Sequence, residues 1–167
     1  ILLYMRIDQV MLGSMSGPRT VGIYSAAVRI SEIWYFVPMA LHTALLPTIV
    51  SLKGQNSETY YKRLQMYLDG MAFIGYSVAV ITTIAGAWLV NLIYGSQYKE
   101  ASSILTVLIW SGLSTCLGVG SSSWLTAEGL QMVGLLRTCI GCILNIILNF
   151  LLIPRFGAIG AAVATLI

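Results

Sequence analysis

The chain has 167 residues, of which 57% are hydrophobic and 9% charged, with a formal net charge of +3 and a mean hydropathy of +0.85. Soluble domains are about a quarter charged and disordered chains need low hydrophobicity, so neither class fits and the composition reads as an integral membrane protein. The few cations form no dense basic stripe, which excludes nucleic acid as a partner.

The first apolar run, about 1–12, opens ILLYMRIDQ and reads as the end of a spanning helix. Arg6 and Asp8 interrupt it and no small-residue cleavage site follows, so no signal peptide is expected. With no initial Met and an ending inside the apolar run GAAVATLI, the chain reads as a fragment of a longer membrane protein. SMSGPRT, 14–20, is a turn with Gly17 and Pro18 as the breaker. A second segment, 22–50, is long enough at ~1.5 Å per residue to cross ~30 Å of hydrocarbon. The longest polar interval, SLKGQNSETYYKRLQ, covers 51–65. In it Asn56 and Ser57 are placed to cap a helix with Tyr60, Tyr61, Leu64, Tyr67 and Leu68 on its apolar side. Further segments follow at 67–94, 101–127, 134–153 and 157–167, joined by short loops.

An even comb of apolar runs without strand-like alternation predicts an all-α, polytopic transmembrane helical bundle, because helices satisfy their own backbone in lipid. The whole chain, 1–167, is expected to be a fragment of one transmembrane domain. Lys53, Lys62 and Arg63 crowd the 51–66 loop and Arg137 flanks the loop after 127, whereas Arg19, Lys99 and Arg155 mark the alternate loops. Cations favour the cytoplasmic side, which places 51–66 there. Arg137, at the start of its segment, is expected to meet lipid headgroups.

Several polar residues stand inside the apolar segments. Arg29 lies ~10 Å along its helix from Gly22, where a charge is costly, and Glu32 is three positions on, close enough to pair. Either the pair merely lets the helix insert, or Arg29 faces a wet cavity with Glu32 holding it. Arg6 and Asp8 are two apart, ~200° around a helix, and do not face each other. Asp8 either pairs across helices, with Arg29 a candidate partner, or serves as a proton- or cation-coupling carboxylate. Pro38 removes a backbone bond and should kink its helix; Pro47 marks the exit. His42 is a hydrogen-bonding spacer or a proton site. GVGSSS, 118–123, is a place of close packing or an unwound, cavity-lining turn. Asn145 and Asn149, one turn apart, bond a neighbouring helix or a hydroxyl-rich ligand. GAIGAA, 157–162, spaces small residues for tight helix packing.

Cys139 and Cys142 match C-x-x-C, yet with Cys116 they lie in apolar helical stretches, where small packing residues are the expectation and a redox role is not. His42 is the only histidine, so no metal and no cofactor are expected. Acid–base candidates do not converge, and no enzyme is expected.

The run IDQVMLGSMSGPRTVGIYSAAVRISEIWYFVPMALHTALLPTIV, together with NIILNFLLIP and GAIGAA further on, resembles the polysaccharide biosynthesis family of membrane flippases. The superfamily also holds multidrug exporters and the lipid II flippase. The resemblance implies a two-bundle, alternating-access transporter, with this chain in its second bundle. It further implies movement of an undecaprenyl-pyrophosphate-linked oligosaccharide across the bacterial inner membrane, for O-antigen (lipopolysaccharide) or exopolysaccharide synthesis. The partners it implies are that lipid-linked oligosaccharide, membrane lipid and a coupling cation, H+ or Na+. Arg29 and Arg6, with Asn145 and Asn149, are then the cavity residues that bind substrate. Asp8 and Glu32 orient or couple, and Pro38 is a hinge. A cation-coupled drug exporter of the same superfamily and a non-transporting structural subunit are the rival readings.

Overall fold

Gly17 and Pro18 end one helix and begin the next. Gly17 takes φ 83° and ψ 170°, a conformation open to glycine, and Pro18 sits in the following first turn, where its missing N–H costs nothing. The structure, a computed structural model, describes residues 6–53 and 57–167. Residues 1–5 and Asn56, the proposed cap, lie outside the described residues. The helices in chain order are α1 (Ile7–Ser16), α2 (Pro18–Glu32), α3 (Phe36–Leu52), α4 (Ser57–Tyr94), α5 (Glu100–Glu128) and α6 (Gln131–Leu166), with 3-10 turns at Ile33–Tyr35 and Ser96–Tyr98. Among the described residues there is no strand.

The 22–50 stretch lies within α2 and α3, which run on through the 3-10 turn. Pro38 sits at the third position of α3, and a proline ring crowds the carbonyl four residues back, here that of Trp34. The helix tightens at that point. Pro47 is carried inside α3 instead of ending it.

α4 is one unbroken helix of 38 residues, ~57 Å long, and overshoots the ~30 Å hydrocarbon layer. It merges the polar interval from Ser57 with the apolar run after it. Its buried residues, from Tyr60, Leu64, Tyr67 and Met71 to Gly86 and Val90, recur at three- and four-residue steps and form one stripe against α5. Of the expected apolar side, Tyr60, Leu64 and Tyr67 are buried, whereas Tyr61 is 58% exposed. Small residues set the approach of the helices. A Cβ at Gly75 would lie 3.2 Å from the Leu113 Cα.

Trp34 lies over Gly112, where an added Cβ would fall inside the indole. Gly112→Ala should therefore destabilise the protein by about 1–3 kcal/mol, the usual range for overpacking, read as a lower Tm in detergent. An unchanged Tm would contradict this packing.

α5 is the central helix, touching α2, α3, α4 and α6. The GVGSSS stretch stays helical within it, the Ser121 and Ser122 hydroxyls bonding back to the Gly118 carbonyl, so it is not unwound. α5 ends at Gly129 in the left-handed conformation (φ 74°), whose N–H caps Leu125 and Thr126.

α6 is broken at Gly157, with φ 56° and ψ −131°, values suited only to glycine. The residues beyond it fold back. The Asn145 amide donates to the Ala164 carbonyl at 3.1 Å, and Gly160 lies against Leu152, an antiparallel hairpin.

Two apolar clusters fill the interior. One, near the α1–α2 turn, gathers Leu12, Tyr24, Leu105 and Ile153; the other, toward the opposite end, gathers Trp34, Ile49, Tyr67 and Met71. Cys116 is buried in the second, while Cys139 is exposed and Cys142 half-buried on α6. The outer faces are apolar too, with Ile84 82% and Phe73 74% exposed. Four stretches, Pro18–Leu52, Ser57–Tyr94, Glu100–Glu128 and Gln131–Leu166, are long and apolar enough to cross a membrane. Such a surface is stable against acyl chains and not against water. The chain is a polytopic helical membrane protein.

Candidate functional site

The α1–α2 hairpin, the middle of α5 and the α6 hairpin border an open cavity of about 350 Å³ lined by polar residues. Asp8 and Glu32 bring carboxylates to it, Ser111, Ser114 and Thr115 bring hydroxyls from α5, and Asn145 and Thr165 face it from the two arms of the α6 hairpin. Tyr35, in the 3-10 turn, completes the wall.

Asp8 is 9% exposed. The Tyr24 hydroxyl donates to its Oδ2 at 2.5 Å and the Gln9 N–H donates to Oδ1 at 2.8 Å. No cation forms an ion pair with Asp8 among the described residues. A buried carboxylate costs several kcal/mol unless paired, and here only neutral donors hold it.

Glu32 is turned toward α1. The Arg6 Nη2 donates to Glu32 Oε2 at 3.1 Å, with side chains 45% and 32% exposed. Neither of the expected Arg29 pairings, with Glu32 or with Asp8, is formed. Arg29 is exposed, makes no ion pair or hydrogen bond among the described residues, and is absent from the cavity wall. Its helix face continues into Ile33 and Phe36, 65% and 70% exposed. The reason is the turn at Gly17, which brings the start of α1 beside the end of α2 and hands Glu32 to Arg6.

Asn149 is fully buried; its amide donates to the Asn145 backbone carbonyl and Oδ1, both at 3.0 Å. Its own Oδ1 has no hydrogen-bond partner, an unmet acceptor in a dry setting. The two asparagines thus form one unit. Asn145 faces the cavity and bonds the neighbouring arm, and Asn149 stands one turn behind it.

Away from the cavity, His42 has a partner that sequence could not supply: its Nδ1 lies 2.7 Å from Ser123 Oγ, and that hydroxyl donates to Tyr67 Oη at 3.3 Å. At the end of the bundle Lys53 Nζ meets Glu128 Oε2 at 3.0 Å and the Ala127 carbonyl at 2.6 Å. Tyr60 donates to the same carboxylate at 2.9 Å, so α3, α4 and α5 are tied together there. Arg19 and Glu100, 3.7 Å apart and well exposed, mark the opposite end and contribute little. Arg137 is fastened to the serine patch of α5: Nη1 donates to Ser121 Oγ at 2.6 Å, and Nη2 to Ser122 Oγ at 3.2 Å.

The MatE family model matches residues 1–151 of this chain. The chain belongs to the MatE family. The match takes in α1 to α5 and most of α6, and so every lining residue of the cavity but Thr165. This MatE chain is 34% identical to the probable flippase AglR of Haloferax volcanii over 98% of its own length and 35% of that protein's. It is 26% identical to the capsular polysaccharide biosynthesis protein CapF of Staphylococcus aureus, over 93% of the chain and 40% of CapF. With the probable low-salt glycan biosynthesis flippase Agl15 of Haloferax volcanii it shares 26% identity over 97% of the chain and 34% of Agl15. The chain therefore spans about a third to two-fifths of the length of these relatives. No solved structure matches it.

Proposed function

We propose that this chain is part of a flippase that moves a lipid-linked oligosaccharide across a cytoplasmic membrane for surface-glycan assembly. The observation that carries the reading is the 34% identity to a probable flippase over 98% of the chain. In this reading the full-length protein has two helical bundles, this chain lies in the second, and access alternates between them about flexible points such as Pro38. The finer version has an undecaprenyl-pyrophosphate carrier, the bacterial inner membrane, and an O-antigen or exopolysaccharide product. No bond is made or broken in the transported molecule, and the protein acts as a carrier and not as an enzyme.

The cavity supports a coupling role for Asp8. A carboxylate without a counter-cation, facing Asn145 and Thr165 across a polar space, offers the hard oxygen donors that Na+ takes, or a site for a proton. Glu32 orients Arg6, and the pair can open to receive an anionic group, since a half-exposed ion pair holds by no more than about 1 kcal/mol. Arg29 enters through its exposure. A guanidinium with no carboxylate partner, on a helix that walls the cavity, is available to a phosphate.

The test is complementation. Deleting the full-length gene should abolish surface glycan, and the intact gene should restore it; ethidium efflux with glycan assembly unaffected would turn the reading toward a drug exporter. In the same assay Arg29→Ala should cut glycan assembly about tenfold, the loss of one charge-assisted contact, with normal membrane insertion by immunoblot. Full assembly in that variant would remove Arg29 from the substrate path.

A further inference from the structure

Arg137 is the seventh residue of α6, ~9 Å along the helix from Gln131. Its partner Ser121 lies seven residues before the end of α5, ~10 Å in from that end. The guanidinium therefore sits ~10 Å inside the α5–α6 turn on both helices, and its side chain is exposed. All three groups that bond it are neutral: the hydroxyls of Ser121 and Ser122, and the Gly118 carbonyl at 3.4 Å. Of an arginine's five N–H donors, two stay unused.

Carboxylates neutralise Arg6, Arg19 and Lys53; none pairs with Arg137 among the described residues. Neutral hydroxyls fix its direction without cancelling its charge. Fixing a cation while leaving it uncompensated is the arrangement that receives an anion.

The space in front of it is open, with Leu68 and Leu117 lining it beside the polar groups. Arg137, Thr138 and Gly141 on α6 face Gly118 and Ser121 on α5 across an open cleft of about 630 Å³. An added Cβ at Gly118 would meet nothing within 4 Å, so the floor is clear. Ser114 lines both this cleft and the Asp8 cavity. Ser111, Ser114, Gly118 and Ser121 follow at helical steps of three and four, with Thr115 beside them, one stripe ~15 Å long. The two spaces are thus the ends of one polar track along α5, anionic at Asp8 and cationic at Arg137.

We propose that Arg137 is an anion-binding residue at the cationic end of this track, taking the phosphate or pyrophosphate group of a lipid. The planar fork of a guanidinium matches phosphate oxygens in pairs, which a lysine does not do. The lipid is the glycan carrier or a membrane phospholipid. Only the first of these rests on the flippase reading; the anion site does not.

The experiment uses the full-length protein in neutral detergent, with farnesyl pyrophosphate and phosphatidylglycerol as separate probes. Arg137→Gln should weaken farnesyl pyrophosphate at least ~10-fold, as expected for a charge-assisted contact, and flatten the salt dependence of binding. A loss confined to phosphatidylglycerol supports the anion site with a headgroup as its occupant. Unchanged binding of both probes by a folded Arg137→Gln protein overturns the proposal. If that variant does not fold, the double variant Ser121→Ala with Ser122→Ala decides, because it frees the guanidinium while keeping its charge. A roughly threefold weakening there supports the proposal, and unchanged affinity overturns it. A gene deletion that leaves surface glycan intact ends the flippase reading without touching these binding results; unchanged binding alongside glycan loss on deletion ends this inference alone.

Discussion

Asp8→Asn should abolish glycan assembly while leaving the protein as stable as before, or more so. The substitution keeps the shape of the side chain: its oxygen can accept from the Gln9 N–H, and its amide can donate to the Tyr24 oxygen, whose hydroxyl now bonds Oδ2. What it removes is the charge. In the folded protein that charge is 9% exposed and has no ion-pair partner among the described residues, and an unpaired buried carboxylate opposes folding. Neutralising it relieves the penalty, so Tm in detergent should hold or rise by a few degrees. If Asp8 takes up a cation in each cycle, the asparagine cannot follow. Transport should then fall ~100-fold or more, which corresponds to ~2.7 kcal/mol. Function and stability move in opposite directions, and a merely structural carboxylate could not produce that. Loss of both together, or full transport by the variant, would remove Asp8 from the coupling role. Asp8→Glu separates charge from reach: it keeps the carboxylate but moves it by one methylene, and partial transport is the expected result.

The membrane class and the helical fold are legible in composition and apolar runs, because lipid admits few backbone solutions. The turn at Gly17 and Pro18 is legible for the same local reason. What sequence spacing misplaces is the partner of each charge. Arg29 and Glu32 are three apart and would pair on an isolated helix; in the fold Glu32 pairs with Arg6, 26 positions away. The hairpin that causes this also sets Tyr24 on Asp8 and Ser25 on Gln9, each 16 apart. Such meetings depend on how two helices lie against each other, which no single helix encodes. The same holds at the α5–α6 hairpin, where Gly129 reverses the chain and delivers Arg137 to serines 15 and 16 positions earlier. His42 shows the extreme, with its partner Ser123 lying 81 positions on. One signal was available for Arg137: a serine pair in an apolar helix, followed across a glycine turn by a lone arginine at matching depth. α4 misleads in another way. Its polar first turns look like a separate element, yet no glycine or proline stands between Ser57 and Asp69, and nothing there breaks the helix.

Gly160→Leu should unfold the α6 hairpin and stop function with it. A Cβ at this position would fall against the Leu152 carbonyl and 3.1 Å from the Ile153 N. Both are backbone atoms of the opposing arm and cannot swing aside as a side chain would. The arms must separate, and the loss runs along the hairpin. Ala161 and Ala162, fully buried beside Gly160, lose their packing, and the Asn145 amide loses the Ala164 carbonyl. The Asn145 amide is then left without its acceptor, at ~1–3 kcal/mol, while the Asn149 bonds to Asn145, within one arm, remain. Overpacking against backbone adds about the same again, so the total should exceed ~3 kcal/mol. Thr165 leaves the cavity wall in the same movement, and the polar space opposite Asp8 opens. The expected result is poor expression or an early-eluting, aggregated species, with no glycan assembly. Gly157→Ala makes a graded comparison. No atom stands within 4 Å of its would-be Cβ, so the strain comes only from the backbone at φ 56°, of the order of 1–3 kcal/mol. The Gly160 variant should therefore be the more damaged of the two. The reverse order would mean that the arms are held by the turn and not by their close contact, and would contradict the hairpin described here.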